Sequence, residues 1–167
     1  MIAPRGGGAP REVHIVGLIS DTHGLIRPEV AKAFAGVQMI LHAGDVGGRA
    51  VLEALNTIAP TEAVFGNVDD PHDPALARER VVSLGGVTIH VSHGHELGSP
   101  TAEQVAARYA GDVLVFGHTH RAVVVRVGPI LVVNPGAAGP RRFELQPSVA
   151  RLTIANGIAE VEAISLA

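Results

Sequence analysis

The sequence predicts an α/β (α+β) fold, a four-layer αββα sandwich in which two mostly β sheets pack face to face and helices flank them. Two observations lead to this prediction. Short apolar runs alternate with helical patterns through the first two-thirds of the chain, whereas the last third contains two hairpin patterns. The 167 residues show no internal repeat or linker, so we expect residues 13–167 to form a single domain.

The front of the chain supplies five strands and the helices between them. Each predicted strand is a short apolar run bounded by a small residue, the pattern of a buried strand. These strands are residues 13–19, 38–42, 63–65, 87–91 and 113–116. Helices are predicted at residues 28–35, 49–58 and 100–109, the last with Ser99 as N-cap and Pro100 at its first position. Residues 75–80 are predicted to form a helical turn before a short strand at 80–84.

The back of the chain predicts two hairpins, one with its turn at Gly128-Pro129 and one with its turn at Asn156-Gly157. Asn-Gly between two apolar segments is the strongest short-range hairpin signal. The exposed edge of the terminal hairpin is a place where a second copy could pair, so a homodimer is one expectation. At the other end, residues 1–12 contain Gly6-Gly7-Gly8 and are predicted to form a flexible N-terminal tail.

The composition of the chain limits the classes of partner that we expect it to bind. The chain is 47% apolar and 17% charged, which is typical of a soluble globular protein. Its net charge of −3 argues against nucleic acid as a partner and offers no electrostatic attraction to an anionic membrane. The apolar runs are far shorter than the ~20 residues of a membrane helix, and the start lacks a signal-type stretch, so we expect a cytoplasmic protein. Without cysteine, a metal site must use His, Asp, Glu and Asn.

Residues of the metal-ligand type follow each of the five predicted strands, directly or shortly after a small residue. Ligands at the carboxyl ends of buried strands converge on one crevice in open α/β sheets. The seven candidate ligands are Asp21, His23, Asp45, Asn67, His93, His118 and His120. Seven ligands exceed one tetrahedral site and would fill two sites if one carboxylate bridges them.

The mixture of carboxylate and imidazole ligands predicts two divalent metal ions, with Mn²⁺ preferred and Ni²⁺, Fe or Zn²⁺ as alternatives. The pairs Asp21-x-His23 and His118-x-His120 are expected to lie on extended segments, where alternate side chains share a side. The glycines that precede ligands would allow the backbone to approach closely around the metals. They are Gly44, Gly66 and Gly117.

The other histidines are predicted to be structural or solvated. His14, His42 and His90 lie inside predicted strands and are expected to be packed or edge residues. His72 lies in a polar loop and is expected to be solvated. His95 follows His93 by two residues, so both a structural and a functional role stay open for it.

The order Asp-x-His, Gly-Asp, Gly-Asn-x-Asp, His and Gly-His-x-His resembles that of the calcineurin-like metallophosphoesterases. His93-Gly94-His95 and Asn134-Pro135-Gly136 make the chain similar to the small bacterial and archaeal phosphodiesterases of that superfamily. The resemblance covers about residues 13–142. The family fold is a sandwich of two mostly β sheets flanked by helices, in agreement with the pattern above.

The resemblance implies two metal positions that share one carboxylate, Asp45. The ligands it assigns are Asp21, His23 and His120 for one ion and Asn67, His93 and His118 for the other. It also implies that Asp69, which closes the Gly-Asn-x-Asp motif, orients a ligand histidine, as carboxylates behind metal ligands commonly do.

The implied reaction is hydrolysis of a phosphodiester by a metal-bridging hydroxide. Asp45, Asp69 and His95 are the predicted catalytic residues. Many members of the superfamily carry, at the position of Val68, a histidine that is thought to assist the leaving group, and valine cannot donate a proton. His95 or a metal-bound water is then expected to supply the proton; without one, activity should favour acidic leaving groups.

The expected substrate is a small-molecule or nucleotide phosphodiester, with Asn67 and Arg141 as substrate-binding residues. Two alternatives stay open. A retromer subunit has the same fold but serves as a protein-interaction scaffold with an altered metal site. Related enzymes cut nucleic acid, but an acidic chain with no Trp and with Tyr109 as its one tyrosine lacks the features of a nuclease groove.

Overall fold

The computed structural model describes residues 12–142 and 144–167. Two β sheets face each other and helices cover their outer faces, so the predicted αββα sandwich is confirmed. The predicted tail, residues 1–12, lies outside the described residues except for Glu12, which is exposed. No helix in the described part of the chain is long and apolar enough to cross a membrane.

Strands make up most of the regular structure in the described residues. They are β1 (Val13–Ile19), β2 (Met39–His42), β3 (Thr61–Val64), β4 (Leu76–Ala77), β5 (Glu79–Leu84), β6 (Val87–Ser92), β7 (Val113–Val115), β8 (Val123–Val127), β9 (Ile130–Asn134), β10 (Ser148–Ala155) and β11 (Ile158–Ser165). The helices are α1 (Glu29–Ala33), α2 (Arg49–Asn56) and α3 (Ala102–Arg108), with a 3₁₀ turn at His95–Leu97.

Each sheet has a parallel centre. In the first sheet the order is β11-β10-β1-β2-β3-β4, with β1, β2 and β3 parallel and β10 antiparallel to β1. In the second the order is β5-β6-β7-β9-β8, with β6, β7 and β9 parallel. Parallel neighbours require crossover connections. Helices α1, α2 and α3 lie in the connections β1–β2, β2–β3 and β6–β7, and the connection from β7 to β9 contains β8. This places the carboxyl ends of the central strands of each sheet together at one edge.

Three apolar clusters hold the layers together. The cluster between the sheets is aliphatic and includes Val16, Leu41, Ile89 and Val115. On the outer face of the first sheet, side chains of α1 and α2 pack on the strands, and Val105 of α3 packs on the second sheet. Helices of 5 to 8 residues are too short to be stable alone, so burial against the sheets determines where they form.

Two of the predicted elements are wrong in detail. Residues 75–80 do not form a helical turn, because β4 pairs with β3 and β5 already begins at Glu79. The third helix begins at Ala102 rather than at Pro100. Thr101 is its N-cap: the Thr101 side chain accepts from the Gln104 N–H, and the Gln104 side chain accepts from the Thr101 N–H. This reciprocal capping box satisfies two otherwise free N–H groups.

Both predicted hairpins are confirmed, as β8–β9 and β10–β11. Asn156 and Gly157 have φ values of 56° and 74°, the two positive angles that a type I′ turn requires. The β10 strand then pairs along most of β1, from Val13 with Ala155 to Leu18 with Ala150. The terminal hairpin is therefore an integral part of the first sheet.

Candidate metal centre

Five loops, which follow β1, β2, β3, β6 and β7, meet at one edge of the sandwich. Polar contacts join the loops of the two sheets: the His118 N–H donates to Asp21 Oδ2 over 3.1 Å, and His93 Nδ1 lies 2.7 Å from the Ala43 carbonyl oxygen. All seven candidate ligands lie in these loops. The strand ends therefore bring together side chains that are up to about one hundred residues apart in sequence.

The first group of ligand atoms belongs to Asp21, His23 and His120, and these atoms all lie within 4.8 Å of one another. Asp21 Oδ1 is 3.2 Å from His120 Nε2 and 3.9 Å from His23 Nε2. The other oxygen, Oδ2, accepts hydrogen bonds from the Ser20 hydroxyl over 2.5 Å and from the His118 N–H. One oxygen of this buried carboxylate is thus anchored and the other faces the histidines.

The second group belongs to Asp45, His93 and His118, again within 4.8 Å of one another. His93 Nε2 is 3.2 Å from Asp45 Oδ2. Asn67 Oδ1 lies 3.1 Å from His93 Nε2 and 3.2 Å from His118 Nδ1. Because His93 Nδ1 is engaged by the Ala43 carbonyl, Nε2 is the nitrogen left to face the group.

Asp45 lies between the two groups. Its Oδ2 is 3.2 Å from His93 Nε2 and 3.6 Å from His23 Nε2. Its Oδ1 accepts a hydrogen bond from the Val68 N–H over 3.1 Å. This is the position that a carboxylate shared by two ions would occupy, and the grouping of the side chains is the one that the resemblance implies.

The donor atoms fit divalent cations. Two atoms bound about 2.0–2.2 Å from one ion lie roughly 3.0–3.5 Å apart. The contacts of His120 with Asp21 and of His93 with Asp45, both 3.2 Å, have that spacing. Asp21 Oδ1 and His23 Nε2 are also buried and make no hydrogen bond within the described residues. Buried polar atoms rarely lack a partner, and a bound cation would supply one.

Five of the seven candidate ligands have a left-handed backbone. Their φ values are 55° for Asp21, 45° for His23, 55° for Asp45, 70° for His118 and 64° for His120. The prediction that the Asp-x-His and His-x-His pairs lie on extended segments is therefore wrong. Such angles cost about 1–2 kcal/mol for a residue with a Cβ and persist only where surrounding contacts impose them. Here the contacts between the loops impose them.

Glycine is required at the predicted positions before ligands. A Cβ on Gly66 would lie 2.1 Å from Asp45 Oδ1 and 2.4 Å from the Asp45 backbone nitrogen. A Cβ on Gly117 would lie 2.1 Å from Ser20 Oγ and 2.7 Å from Asp21 Oδ2. Real Cβ contacts are not this short, so only glycine lets these loops approach the carboxylates.

The histidines of the site stabilise the ionised forms of its carboxylates. Burial raises the pKa of Asp45, but the hydrogen bond and charge of His93 outweigh it and lower the pKa to about 2. Burial also raises the pKa of Asp21, and contacts with His120 and His93 again more than offset it. Both carboxylates are consequently ionised at neutral pH. Burial lowers the pKa of His23, which favours the neutral imidazole that binds metal.

His42 has a larger role than that of the packed strand residue that the sequence predicts. Its fully buried ring accepts from the Gly44 N–H at Nδ1 over 3.0 Å, which places the proton on Nε2. That proton is directed to Thr22 Oγ1, 3.0 Å away, and Thr22 donates to the Val46 carbonyl over 2.7 Å. Burial lowers the pKa of His42 to about 4, so the ring is neutral at pH 7.

This hydrogen-bond chain joins the loop of Asp21 to the loop of Asp45. The sequence did not predict it because Thr22, the partner that makes the link, lies in another loop. The available signal was a polar residue at the last position of an otherwise apolar strand, since a buried polar group requires partners.

Asp69 differs from its predicted role. Its carboxylate accepts three backbone N–H groups: those of Val46 over 3.0 Å and Gly66 over 2.9 Å at Oδ2, and that of Gly47 over 3.1 Å at Oδ1. The prediction that it orients a ligand histidine is therefore wrong. It instead ties the loop of Asp45 to the loop of Asn67, because both loops leave N–H groups free at this point. Its place among the catalytic residues stays a prediction.

The remaining predicted residues lie around the centre. His95 begins the 3₁₀ turn, its ring centroid is 5.3 Å from that of His93, and burial lowers its pKa. Arg141 and Arg142 are both exposed, and Arg142 lines a cleft of about 200 Å³ together with metal-ligand candidates. The proton-donor role of His95 and the substrate-binding roles of Arg141 and Asn67 stay predictions.

An αββα sandwich with a carboxylate- and histidine-rich centre at its strand ends is the architecture of a metallophosphoesterase. The chain belongs to the calcineurin-like phosphoesterase superfamily, whose domain model matches residues 15–157. The family that the order of motifs predicted is thereby confirmed.

Two relatives place the chain among small prokaryotic members. A "Probable metallophosphoesterase" of Methanothermobacter thermautotrophicus is 34% identical over 149 residues, which are 83% of this chain and 80% of the relative. Phosphodiesterase YfcE of Escherichia coli K12 is 34% identical over 142 residues, which are 71% of this chain and 76% of the relative. Both are similar to this chain over most of their length.

Among solved structures, the wild-type Vps29 of Entamoeba histolytica complexed with Zn²⁺ superposes with a TM-score of 0.71. The match covers 90% of this chain and 98% of that chain at 24% identity. At this identity the comparison shows a common fold.

Proposed function

We propose that this protein hydrolyses phosphodiesters with two divalent metal ions bound at the centre described above. The observation that carries the proposal is the position of Asp45, whose Oδ2 lies between the histidines of the two ligand groups. Phosphodiesterase and metallophosphoesterase names among the relatives support the same reaction class. Mn²⁺ is the preferred metal, and Ni²⁺, Fe and Zn²⁺ also suit a mixed oxygen and nitrogen ligand set.

Each of the five loops would contribute at least one ligand to the metal ions. Asp21, His23 and His120 would hold one ion, and Asn67, His93 and His118 the other, with Asp45 shared. When bound, the two ions supply Lewis acidity, which lowers the pKa of a water from ~16 to about 7 and neutralises charge on the phosphoryl oxygens.

In the proposed reaction the oxygen of water forms a bond to phosphorus while the bond from phosphorus to the leaving oxygen breaks, and the leaving oxygen takes up a proton. Val68 cannot supply that proton, and its side chain is largely exposed. His95 is the proposed donor, because its ring adjoins those of His93 and His118. His95→Asn should then slow the cleavage of an alkyl diester more than that of an aryl diester, whose leaving group needs no proton.

The test is hydrolysis of bis(p-nitrophenyl) phosphate by metal-stripped protein, with and without Mn²⁺. We expect turnover that depends on Mn²⁺ and falls roughly 1,000-fold in Asp45→Asn, as for the loss of other essential catalytic groups. Glu53→Gln, an equivalent change on the exposed face of α2, is the matched control and should keep full turnover.

The alternative is a protein-interaction scaffold of the same fold. Turnover that is absent with Mn²⁺, Ni²⁺, Fe²⁺ and Zn²⁺ alike, in protein that binds the metal, would contradict the phosphodiesterase proposal and favour the scaffold.

A further inference from the structure

A groove leads away from the metal centre on the side of His118 and His120. Its first part is a cleft of about 200 Å³, which these two histidines share with Arg121, Arg142 and Leu145. A second part of about 590 Å³ adjoins it through His120, Arg121 and Leu145 and runs along β11. A volume of this size is within the range of small-molecule binding sites.

Two arginines line the groove where it leaves the centre. Within residues 12–142 and 144–167, the guanidinium groups of Arg121 and Arg142 make no ion pair and donate to no protein acceptor. Arg27, Arg126 and Arg151, by contrast, each donate to a backbone carbonyl. An unengaged guanidinium can donate two parallel hydrogen bonds to a phosphate or a carboxylate.

Arg142 also lies beside the centre, because it lines the same cleft as the metal-ligand candidates His118 and His120. A substrate phosphate at the centre would therefore lie within reach of a second cationic group on this side.

The farther part of the groove is largely apolar. Val123, Leu145 and Ile164 contribute aliphatic wall, and Gln146 and Ser165 contribute polar groups along it. Such a wall suits the flat ring of a base or the body of a sugar more than a highly charged chain.

We infer that this groove binds the retained ester group of the substrate, and that Arg121 and Arg142 hold a second phosphate carried by that group. The inference rests on the proposed phosphodiesterase function and names its substrate class: nucleotide-type diesters with an additional phosphate. Arg142 takes the substrate-binding role that sequence reasoning assigned to Arg141, and Arg121 joins it.

The test uses two substrates that differ by one phosphate, thymidine 5′-(p-nitrophenyl phosphate) and its 3′-phosphorylated form. With Mn²⁺ present, we expect KM to be about tenfold lower for the 3′-phosphorylated substrate, since a charge-assisted contact contributes at least this much. The ratio should approach one in Arg142→Gln and in Arg121→Gln, and it should be unchanged in Arg49→Gln, an exposed arginine on α2.

A second measurement does not depend on turnover. Calorimetric titration of the Mn²⁺-loaded protein with thymidine 3′,5′-bisphosphate and with thymidine 5′-monophosphate should show about tenfold tighter binding of the bisphosphate, again lost in the arginine variants.

The two proposals fail in different ways. Equal KM values for both substrates in an active enzyme, or equal affinity for both nucleotides, would overturn the inference about the groove and leave the phosphodiesterase proposal intact. Absence of turnover on every substrate contradicts the proposed function, while the nucleotide titration still decides whether the groove prefers a second phosphate.

Discussion

Residues with positive φ occur at both edges of the sandwich, but they serve a different purpose at each edge. At the turn edge, where the β5–β6, β8–β9 and β10–β11 hairpins reverse, positive φ belongs to residues such as Gly86, Gly128 and Gly157, and a Cβ there would meet nothing within 4 Å. At the site edge, positive φ belongs to aspartates and histidines as well as to glycines such as Gly44 and Gly47, and a Cβ on either glycine would lie within 3 Å of another loop. The turn edge needs only chain reversal, whereas the site edge holds strained backbone in place through contacts between loops.

The largest effect expected from this difference is that of Gly66→Ala. The new Cβ must displace the backbone and carboxylate of Asp45, so we expect Mn²⁺ binding and turnover to be lost and stability to fall by about 1–3 kcal/mol. Gly86→Ala at the turn edge is the matched control. It should lose about 1–2 kcal/mol through its φ of 82° and keep its Mn²⁺ affinity. Calorimetric titration with Mn²⁺ measures the affinity of each variant, and thermal unfolding measures its stability. Equal losses of Mn²⁺ affinity in the two variants would contradict the distinction between the edges.

The next effect is that of His42→Ala, which removes the link between the Asp21 and Asp45 loops. It leaves the Gly44 N–H and the Thr22 hydroxyl without this partner, at about 1–3 kcal/mol of stability for each buried group. We expect Mn²⁺ affinity to fall ~10- to 100-fold, as for other residues that orient metal ligands. His14→Ala, at the turn edge, should leave Mn²⁺ affinity unchanged. An unchanged affinity in His42→Ala would mean that the loops are held without the histidine.

The pH dependence of stability in the metal-free protein tests the same role of His42. The pKa of His42 is about 4 in the folded chain and 6.5 in its ordinary state. As the pH falls, the unfolded chain therefore takes up a proton on His42 before the folded chain does. The contribution of His42 to stability is consequently complete above pH 6.5 and is lost between pH 6.5 and 4. Each such proton changes the free energy of unfolding by about 1.4 kcal/mol per pH unit. His42→Gln should show a shallower decline over this interval in urea unfolding; an identical slope would show that other groups account for it.

The smallest effect is expected at the terminal hairpin. Asn156→Gly keeps a residue that tolerates the φ of 56°, so stability should change by less than about 0.5 kcal/mol and Mn²⁺ affinity should stay the same. Urea unfolding and Mn²⁺ titration check both values. A marked loss of affinity would indicate that the two edges are coupled through the strands.

Much of the site edge could be predicted because strand ends and ligands are adjacent in sequence. An apolar run followed by Gly44 and Asp45 indicates both the strand and the ligand, and the Asn156-Gly157 turn is equally local. The helix predicted to begin at Pro100 begins at Ala102, because Thr101 and Gln104 form a capping box, and this side-chain pairing is not visible in the apolar pattern.

The remaining features depend on contacts between distant segments. Asp69 accepts hydrogen bonds from the loop that follows β2, His42 contacts Thr22 in the loop that follows β1, and Arg142 lines a cleft with histidines of the loop that follows β7. Short β4 forms only because β3 offers it an edge, and nothing in residues 76 and 77 favours a strand over a turn. Periodicity reports which face of an element is buried, but it carries no information about which loops meet.

The pairing of β1 with β10 has a consequence for the newly made chain. The first of the described strands to leave the ribosome lies in the middle of its sheet, between β2 and a strand that is translated more than one hundred residues later. Until residues 148–155 emerge, one hydrogen-bonding edge of this apolar strand lacks the partner that it has in the finished sheet. In the nascent chain this unpaired edge is therefore a place where another strand can add before β10 is made.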